Sequence, residues 1–268
     1  MLSNLTLFIV AVWCHRKIES NQVGKPLKYP NLPEVPVRIS NKASLGKVIE
    51  DVKNKLTPKE ENPSKKQLRH LRRFKRSCFK DLFTSLQRIN FSAGIVHHLI
   101  SRQSKGTDST CMEFNFGGKA AKFTKQEFGI ITGLRMGPLP TEMPNASPSR
   151  LLDDYFNNEE KITNAIVREV FIDTKEFMED DDILKLALLY FLECGILGKE
   201  SKALIDIEHL AMVEDLDYFN SYPWGELSYS ATIQSMHKAL GRKGGLNKSG
   251  TYSLFGCPLA LQVWYFIN

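Results

Sequence analysis

No two cysteines in this chain stand at the C-x2-4-C spacing of a zinc finger or ribbon; Cys14, Cys78, Cys111, Cys194 and Cys257 are scattered singly. Five cysteines in 268 residues also fall short of a disulfide framework. No run reaches the roughly 18 apolar residues of a membrane span. There is no HExxH, and His97 and His98 are adjacent, so on a helix they point in different directions and make a poor ligand pair. Gly241-Arg242-Lys243-Gly244-Gly245 shares composition but not order with a phosphate-binding loop. The carboxylates of 179–182 are dense without a hydrolase spacing. Cysteines and histidines can be paired on paper as nucleophile and base, but no local pattern brings any pair together. These absences leave no catalytic residue, no cofactor, no metal ligand and no small-molecule substrate to assign. The expectation is a protein that is not an enzyme.

Hydrophobic residues make up 42% and charged residues 25%, a globular balance. The formal charge of +6 is unevenly spread. Residues 59–80 hold nine Lys or Arg against two Glu, whereas residues 150–220 hold seven basic and eighteen acidic residues. The basic run KKQLRHLRRFKRSCFK offers Lys65, Lys66, Arg69, Arg72, Arg73, Lys75 and Arg76 as contacts for a nucleic acid or a protein partner. Leu68, Leu71, Phe74 and Cys78 recur at helical spacing within it, so the same residues also read as the solvated face of a helix or as a nuclear-import signal. Acidic protein surfaces, this chain's own middle included, complement that charge. The expected location is the nucleus, otherwise the cytoplasm, with no membrane partner.

The apolar stretch LTLFIVAVW at 5–13 is followed, not preceded, by Arg16 and Lys17, and the cleavage pattern is poor, so it does not read as a secretory signal. It reads as a short buried helix or as the product of a misplaced start codon. Without a signal, Asn4-Leu5-Thr6 is not a used glycosylation site. Residues 21–66, interrupted by six prolines, read as a weakly structured connector with Pro-x-x-Pro spacings at 30–33 and 33–36. Leu45, Val48, Ile49, Val52 and Leu56 nevertheless share one face of a short helix over 43–56. The expected division is an N-terminal segment and connector over 1–64 and a helical domain over 65–268.

Within that domain the spacing predicts helices over 65–76 and 77–89, and another capped by Ser92. Alternation changes the period at 111–124: Met112, Phe114 and Phe116, then Gly117-Gly118, then Ala121 and Phe123, predict a β-hairpin. Thr124 and Glu127 form a capping box for a helix from 125, which Gly133 ends. A proline loop follows, then a helix over 159–171. The run ILKLALLYFLEC, after the acidic 179–182, predicts a central helix buried on most sides. Helices over 203–214 and through Tyr229, Ile233, Met236, His237 and Leu240 come next, then a flexible turn over 241–250 and a last apolar helix after Pro258. That helix either docks on the core or marks an incomplete product. Phe219, Tyr222, Trp224 and Tyr229 form an aromatic cluster suited to packing or to a binding surface. The fold class is mainly α (α+β), a single helical domain with one hairpin near 111–124.

Several segments together resemble a plant domain family of unassigned function: FKRSCFKDLF (74–83), FSAGIVHHLI (91–100), FNFGGKAAKFTKQEFGIITGLRMG (114–137), LKLALLYFLECGILG (184–198), VEDLDYFNSYPWGELSYSATIQSM (213–236) and YSLFGCPLALQVW (252–264). The Phe-Thr-x-x-Glu-Phe…Thr-Gly-Leu block and the Tyr-Pro-Trp-Gly block are the specific parts. Members of that family often lie upstream of a ubiquitin-like-protein (SUMO-type) cysteine protease domain in transposon-related plant genes. The resemblance spans about 65–268. It implies a non-enzymatic accessory or protein-interaction domain whose partner is another protein or a downstream protease domain. A nucleic-acid-binding domain using 65–80, and a fragment of a ubiquitin-like-protein protease lacking its catalytic domain, are the alternatives.

Overall fold

The computed structural model describes residues 23–30, 38–41, 45–58, 68–86, 89–141, 149–240 and 251–267. The apolar stretch 5–13, most of the Pro-x-x-Pro region, Lys65, Lys66 and the turn 241–250 lie outside the described residues. In chain order the elements are β1 (Arg38–Asn41), α1 (Leu45–Leu56), α2 (Arg69–Phe74), α3 (Lys80–Ser85), α4 (Ala93–Ser101), β2 (Met112–Phe116), β3 (Lys119–Phe123), α5 (Lys125–Thr132), α6 (Arg150–Phe156) and α7 (Asn164–Asp173). Then come α8 (Asp182–Tyr190), which runs on as a π-helical turn (Phe191–Ile196), α9 (Glu208–Glu214), α10 (Leu216–Ser221), α11 (Trp224–Lys238), β4 (Thr251–Leu254) and α12 (Leu259–Ile267). The protein is mainly helical, with one antiparallel hairpin, as the periodicity predicts. No helix among the described residues is long and apolar enough to cross a membrane.

The contacts sort the chain into two compact units, each assembled from separated stretches: Met1–Asn41, Ile89–Thr132 and Leu227–Asn268 in the first, Lys42–Arg88 and Gly133–Glu226 in the second.

In the first unit the hairpin pairs Met112 with Phe123 and Phe116 with Lys119. Its two-residue turn needs positive φ at both positions, and Gly117 and Gly118 supply 63° and 93°. Met112, Phe114 and Phe123 are fully buried on one face, where the Trp264 ring of α12 lies 5.5 Å from Phe114 and 5.7 Å from Phe123. The last helix therefore docks, and Leu259 to Trp264 are buried. The Thr124 backbone N–H donates to Glu127 Oε2 at 2.8 Å, the returning half of the predicted capping box. Ser92 occupies the N-cap of α4, but its side chain accepts no capping bond; its backbone N–H donates instead to Gln262 Oε1 at 2.6 Å. The 21–66 stretch is not connector throughout. Residues 23–30 run along the hairpin and the 103–105 segment, and β1 pairs in parallel with β4, Ile39 opposite Tyr252.

In the second unit the five apolar residues of α1 are buried, and α1 packs on α8 and its π turn. Compact structure thus begins before the expected boundary at 64, because an apolar face five residues long cannot be left in water. The predicted helices 65–76 and 77–89 are two shorter ones, with a break at 75–79 that turns Phe74, Phe79 and Phe83 onto Phe191. The helix expected from 159 starts at Asn164, capped by the Thr163 side chain, and α6 stands where the reading had only loop; Asn157, at φ 51°, ends it. The helix expected over 203–214 begins only at Glu208, because 204 pairs with 163 in an extended bridge. The central helix is as buried as its composition requires, with Leu184 and all of 186–192 inside.

Candidate interaction surface

The basic run divides by exposure. On α2, Arg69 donates from Nη1 to Asp180 Oδ2 at 2.5 Å and from Nη2 to Asp181 Oδ1 at 2.8 Å. Arg73, one turn on, also binds Asp181 Oδ1. His70 Nε2 lies 3.5 Å from Asp180 Oδ1 and 3.9 Å from Asp181 Oδ1. Burial raises the Asp181 carboxyl, but the two guanidinium groups and His70 outweigh it and hold the acid below its ordinary range. Arg72, Lys75 and Arg76 face outward and are exposed.

The rest of the acidic run is partnered as well. Asp182, fully buried at the start of α8, accepts from Arg150, from the Tyr155 hydroxyl at 2.7 Å and from the Glu179 N–H at 2.9 Å. Those donors hold its carboxyl low in spite of burial. Burial and the Asp182 bond push the Tyr155 hydroxyl up to about 12. The carboxylates of 179–182 are a paired cluster, each facing a guanidinium group.

Ligand atoms of His70, Asp180 and Asp181 lie within 4.8 Å of one another, the spacing of a cation site. Arg69 and Arg73 already sit on the same two carboxylates, so the positive charge that a cation would bring is supplied by the chain. Chemically the cluster is an ion-pair network.

The four aromatic residues are buried. In the second unit Trp224 packs 4.8 Å from Phe219 and 4.4 Å from Tyr222, and its Nε1–H donates to the Phe219 carbonyl at 2.7 Å. In the first unit Tyr229 packs 5.4 Å from Phe128 and donates its hydroxyl to the Thr110 carbonyl at 2.6 Å. Both arrangements are packing.

Burial pushes the thiols of Cys194 and Cys257 up to about 12 and raises that of Cys78. At Cys257 the N–H groups of Ala260 and Leu259 oppose the shift without overcoming it. Burial thus favours the thiol over the more nucleophilic thiolate at each of these sulfurs.

Two buried charge pairs escaped the reading of the sequence. Lys185 on α8 donates to Glu214 Oε2 at 2.6 Å, and Glu214 Oε1 takes the Leu151 N–H at 2.9 Å at the start of α6. Glu193, fully buried in the π turn, binds His209 Nδ1 and lies 3.3 Å from Lys199 Nζ. The signal was present: Lys185 and Glu193 are the only charges inside the apolar run, and a buried charge demands a partner.

The Phe-Thr-x-x-Glu-Phe…Thr-Gly-Leu block builds the fold. Phe123, Thr124, Glu127 and Phe128 are a core pair and a helix cap, and Gly133 turns the chain at φ 66° against Asp81. A search of curated proteins and a search of solved structures each return no match. The family comparison is narrower than the expected 65–268 and leaves outside the blocks at 74–83 and 252–264 and all but the last residue of the block at 91–100. Residues 100–235, just over half of the chain, match the family described as Domain of unknown function (DUF1985), and the chain belongs to that family.

Proposed function

We propose that this chain is a non-enzymatic interaction domain whose exposed basic strip, Arg72, Lys75 and Arg76, binds an acidic surface on another protein. One observation carries the reading. The same short segment already grips carboxylates, since Arg69 and Arg73 bind Asp180 and Asp181 while their neighbours point outward. Guanidinium groups pair with carboxylates in a forked geometry, so a face that binds the chain's own acids is chemically fitted to those of a partner. The resemblance to domains upstream of SUMO-type proteases in transposon-related plant genes makes such a protease domain the natural partner and the nucleus the natural location.

The second reading, nucleic-acid binding, rests on the same strip, because phosphates and carboxylates compete for the same cations. One titration separates them. The full chain and its Arg72→Glu/Lys75→Glu/Arg76→Glu variant are titrated with a fluorescent polyglutamate peptide and with a DNA oligonucleotide, at about 50 and about 200 mM salt. The proposal expects peptide binding that the variant abolishes and DNA binding that is weaker. DNA binding that exceeds it and collapses with salt installs the second reading. Binding to neither probe overturns both.

A further inference from the structure

His237, near the end of α11, ties three stretches of the first unit together. Its Nε2 lies 2.9 Å from the Cys111 carbonyl, just before β2. A carbonyl only accepts, so Nε2 carries the proton and Nδ1 is left as an acceptor. Nδ1 takes the side-chain amide N–H of Gln103 at 2.6 Å. Gln103 is 1% exposed. Its other end is fixed too, because Lys28 Nζ donates to Gln103 Oε1 at 3.4 Å and to the His237 backbone carbonyl at 3.4 Å. The 23–30 stretch, the 103–111 loop and α11 are thus joined by a chain of bonds, each of which sets the direction of the next.

That chain tolerates one protonation state. A proton on Nδ1 would face the amide N–H of Gln103, donor against donor. Turning the amide over would offer Oε1 to the ring, but it would swing the NH2 group onto the Lys28 ammonium. We propose that His237 is an acid-operated latch: proton uptake at Nδ1 breaks the Gln103 bond and loosens the 23–30 stretch and the 103–111 loop.

The groups facing the ring agree on balance. Burial lowers its proton affinity most, and the Lys28 charge adds to this; the Cys111 carbonyl, the Asp108 carboxylate and the Asp108 backbone carbonyl oppose it without overcoming it. Beyond these groups, Tyr29 lies with its ring 5.3 Å from Lys28 Nζ, and Tyr229 donates its hydroxyl to the Thr110 carbonyl at 2.6 Å. Glu113 is engaged by Lys25 at 3.1 Å, with Lys122 at 3.9 Å.

Hydrogen exchange on the full chain tests the latch through amides that bridge the joined stretches: Lys28 to Gln103, Lys105 to Pro26, and Ser104 to Glu113. Exchange is measured at about pH 7.5 and about pH 5.5, on either side of the ordinary histidine range, and corrected for intrinsic rates. The latch expects a loss of protection at the lower pH. Gln103→Glu is the decisive variant. A carboxylate accepts from both Lys28 and a protonated His237, so the pH dependence should change sign, with protection gained in acid. His97 and His98 have no part in the Lys28–Gln103–His237 bonds, and so cannot produce the reversal. Unchanged wild-type protection, or loss of the same sign in both proteins, overturns the proposal. Should Gln103→Glu fail to fold, the ring's own titration by NMR decides: a midpoint below that of an unfolded histidine supports the latch, and one at or above it refutes it.

Discussion

Trp224 and Gly225 show how one residue decides whether two stretches of chain can meet. The Gly225 N–H donates to the Arg135 carbonyl at 3.0 Å, and Trp224 beside it is 1% exposed. A methyl group on Gly225 would stand 2.7 Å from that carbonyl oxygen and 3.0 Å from Leu134 Cβ, and would strike the Met136 sulfur. The methionine can yield, but the backbone oxygen cannot without losing its bond. Gly225→Ala should therefore destabilise the protein by about 1–3 kcal/mol, the usual range for overpacking. Gly46, in the first turn of α1, has nothing within 4 Å of where a methyl would lie. Gly46→Ala should leave stability unchanged or raise it by up to about 1 kcal/mol, through the entropy of the unfolded chain. Urea midpoints of the two variants check the pair, and equal effects would show that the contact around Gly225 is slack. The Tyr-Pro-Trp-Gly block is thereby accounted for by packing.

At the scale of the element, α8 and its π turn organise the second unit. The extra residue of a π turn shifts which side chains face inward. Here the shift puts Phe191 among Phe74 at 5.4 Å, Phe79 at 5.1 Å and Phe83 at 6.1 Å, and sets Gly195 against Leu45 and Val48 of α1. Phe191→Ala should cost about 3–5 kcal/mol in urea unfolding, since three rings would line the void. A loss below about 1 kcal/mol would mean that the void closes by collapse. The burial of this helix was legible because apolar residues crowd every face of it. The π turn was not, because nothing in Phe191–Ile196 breaks the helical period; the demand comes from rings far away in the chain. The hairpin, the Glu127 cap and the apolar face of α1 were legible for the opposite reason, that each is written in a few adjacent residues. Helix α6 was missed because its anchor is remote: Glu214, sixty-three residues on, caps the Leu151 N–H. The basic strip could be named in the sequence, but its division into inward Arg69 and Arg73 and outward Arg72, Lys75 and Arg76 depends on where Asp180 and Asp181 fall in space.

For the whole molecule, the discontinuous make-up of both units follows from pairings that no local pattern announces, such as Ile39 with Tyr252. Its response to acid follows from two sets of groups with different physics. His97, His98 and His237 are all held below the ordinary histidine value, burial being the leading cause for each. The unfolded chain accepts protons that these rings refuse, so the stability they lend is complete above the unfolded value, about pH 6.5, and drains away as pH falls below it. Asp181 and Asp182 are held low by guanidinium and hydroxyl partners, against the opposing effect of burial. Their contribution is complete above the unfolded carboxyl value, about pH 4, and is lost as pH falls further. Urea midpoints taken from about pH 8 to about pH 3 should therefore decline in two stages, the first beginning near the histidine value and the second near the carboxyl value. Salt separates the causes. At about 1 M the screening length shrinks to about 3 Å, which weakens half-exposed pairs such as Arg69 with Asp180 but leaves desolvation untouched. The second stage should shrink in salt and the first should persist. A single decline, or a first stage that salt removes, would show that charge pairing rather than burial governs the histidines.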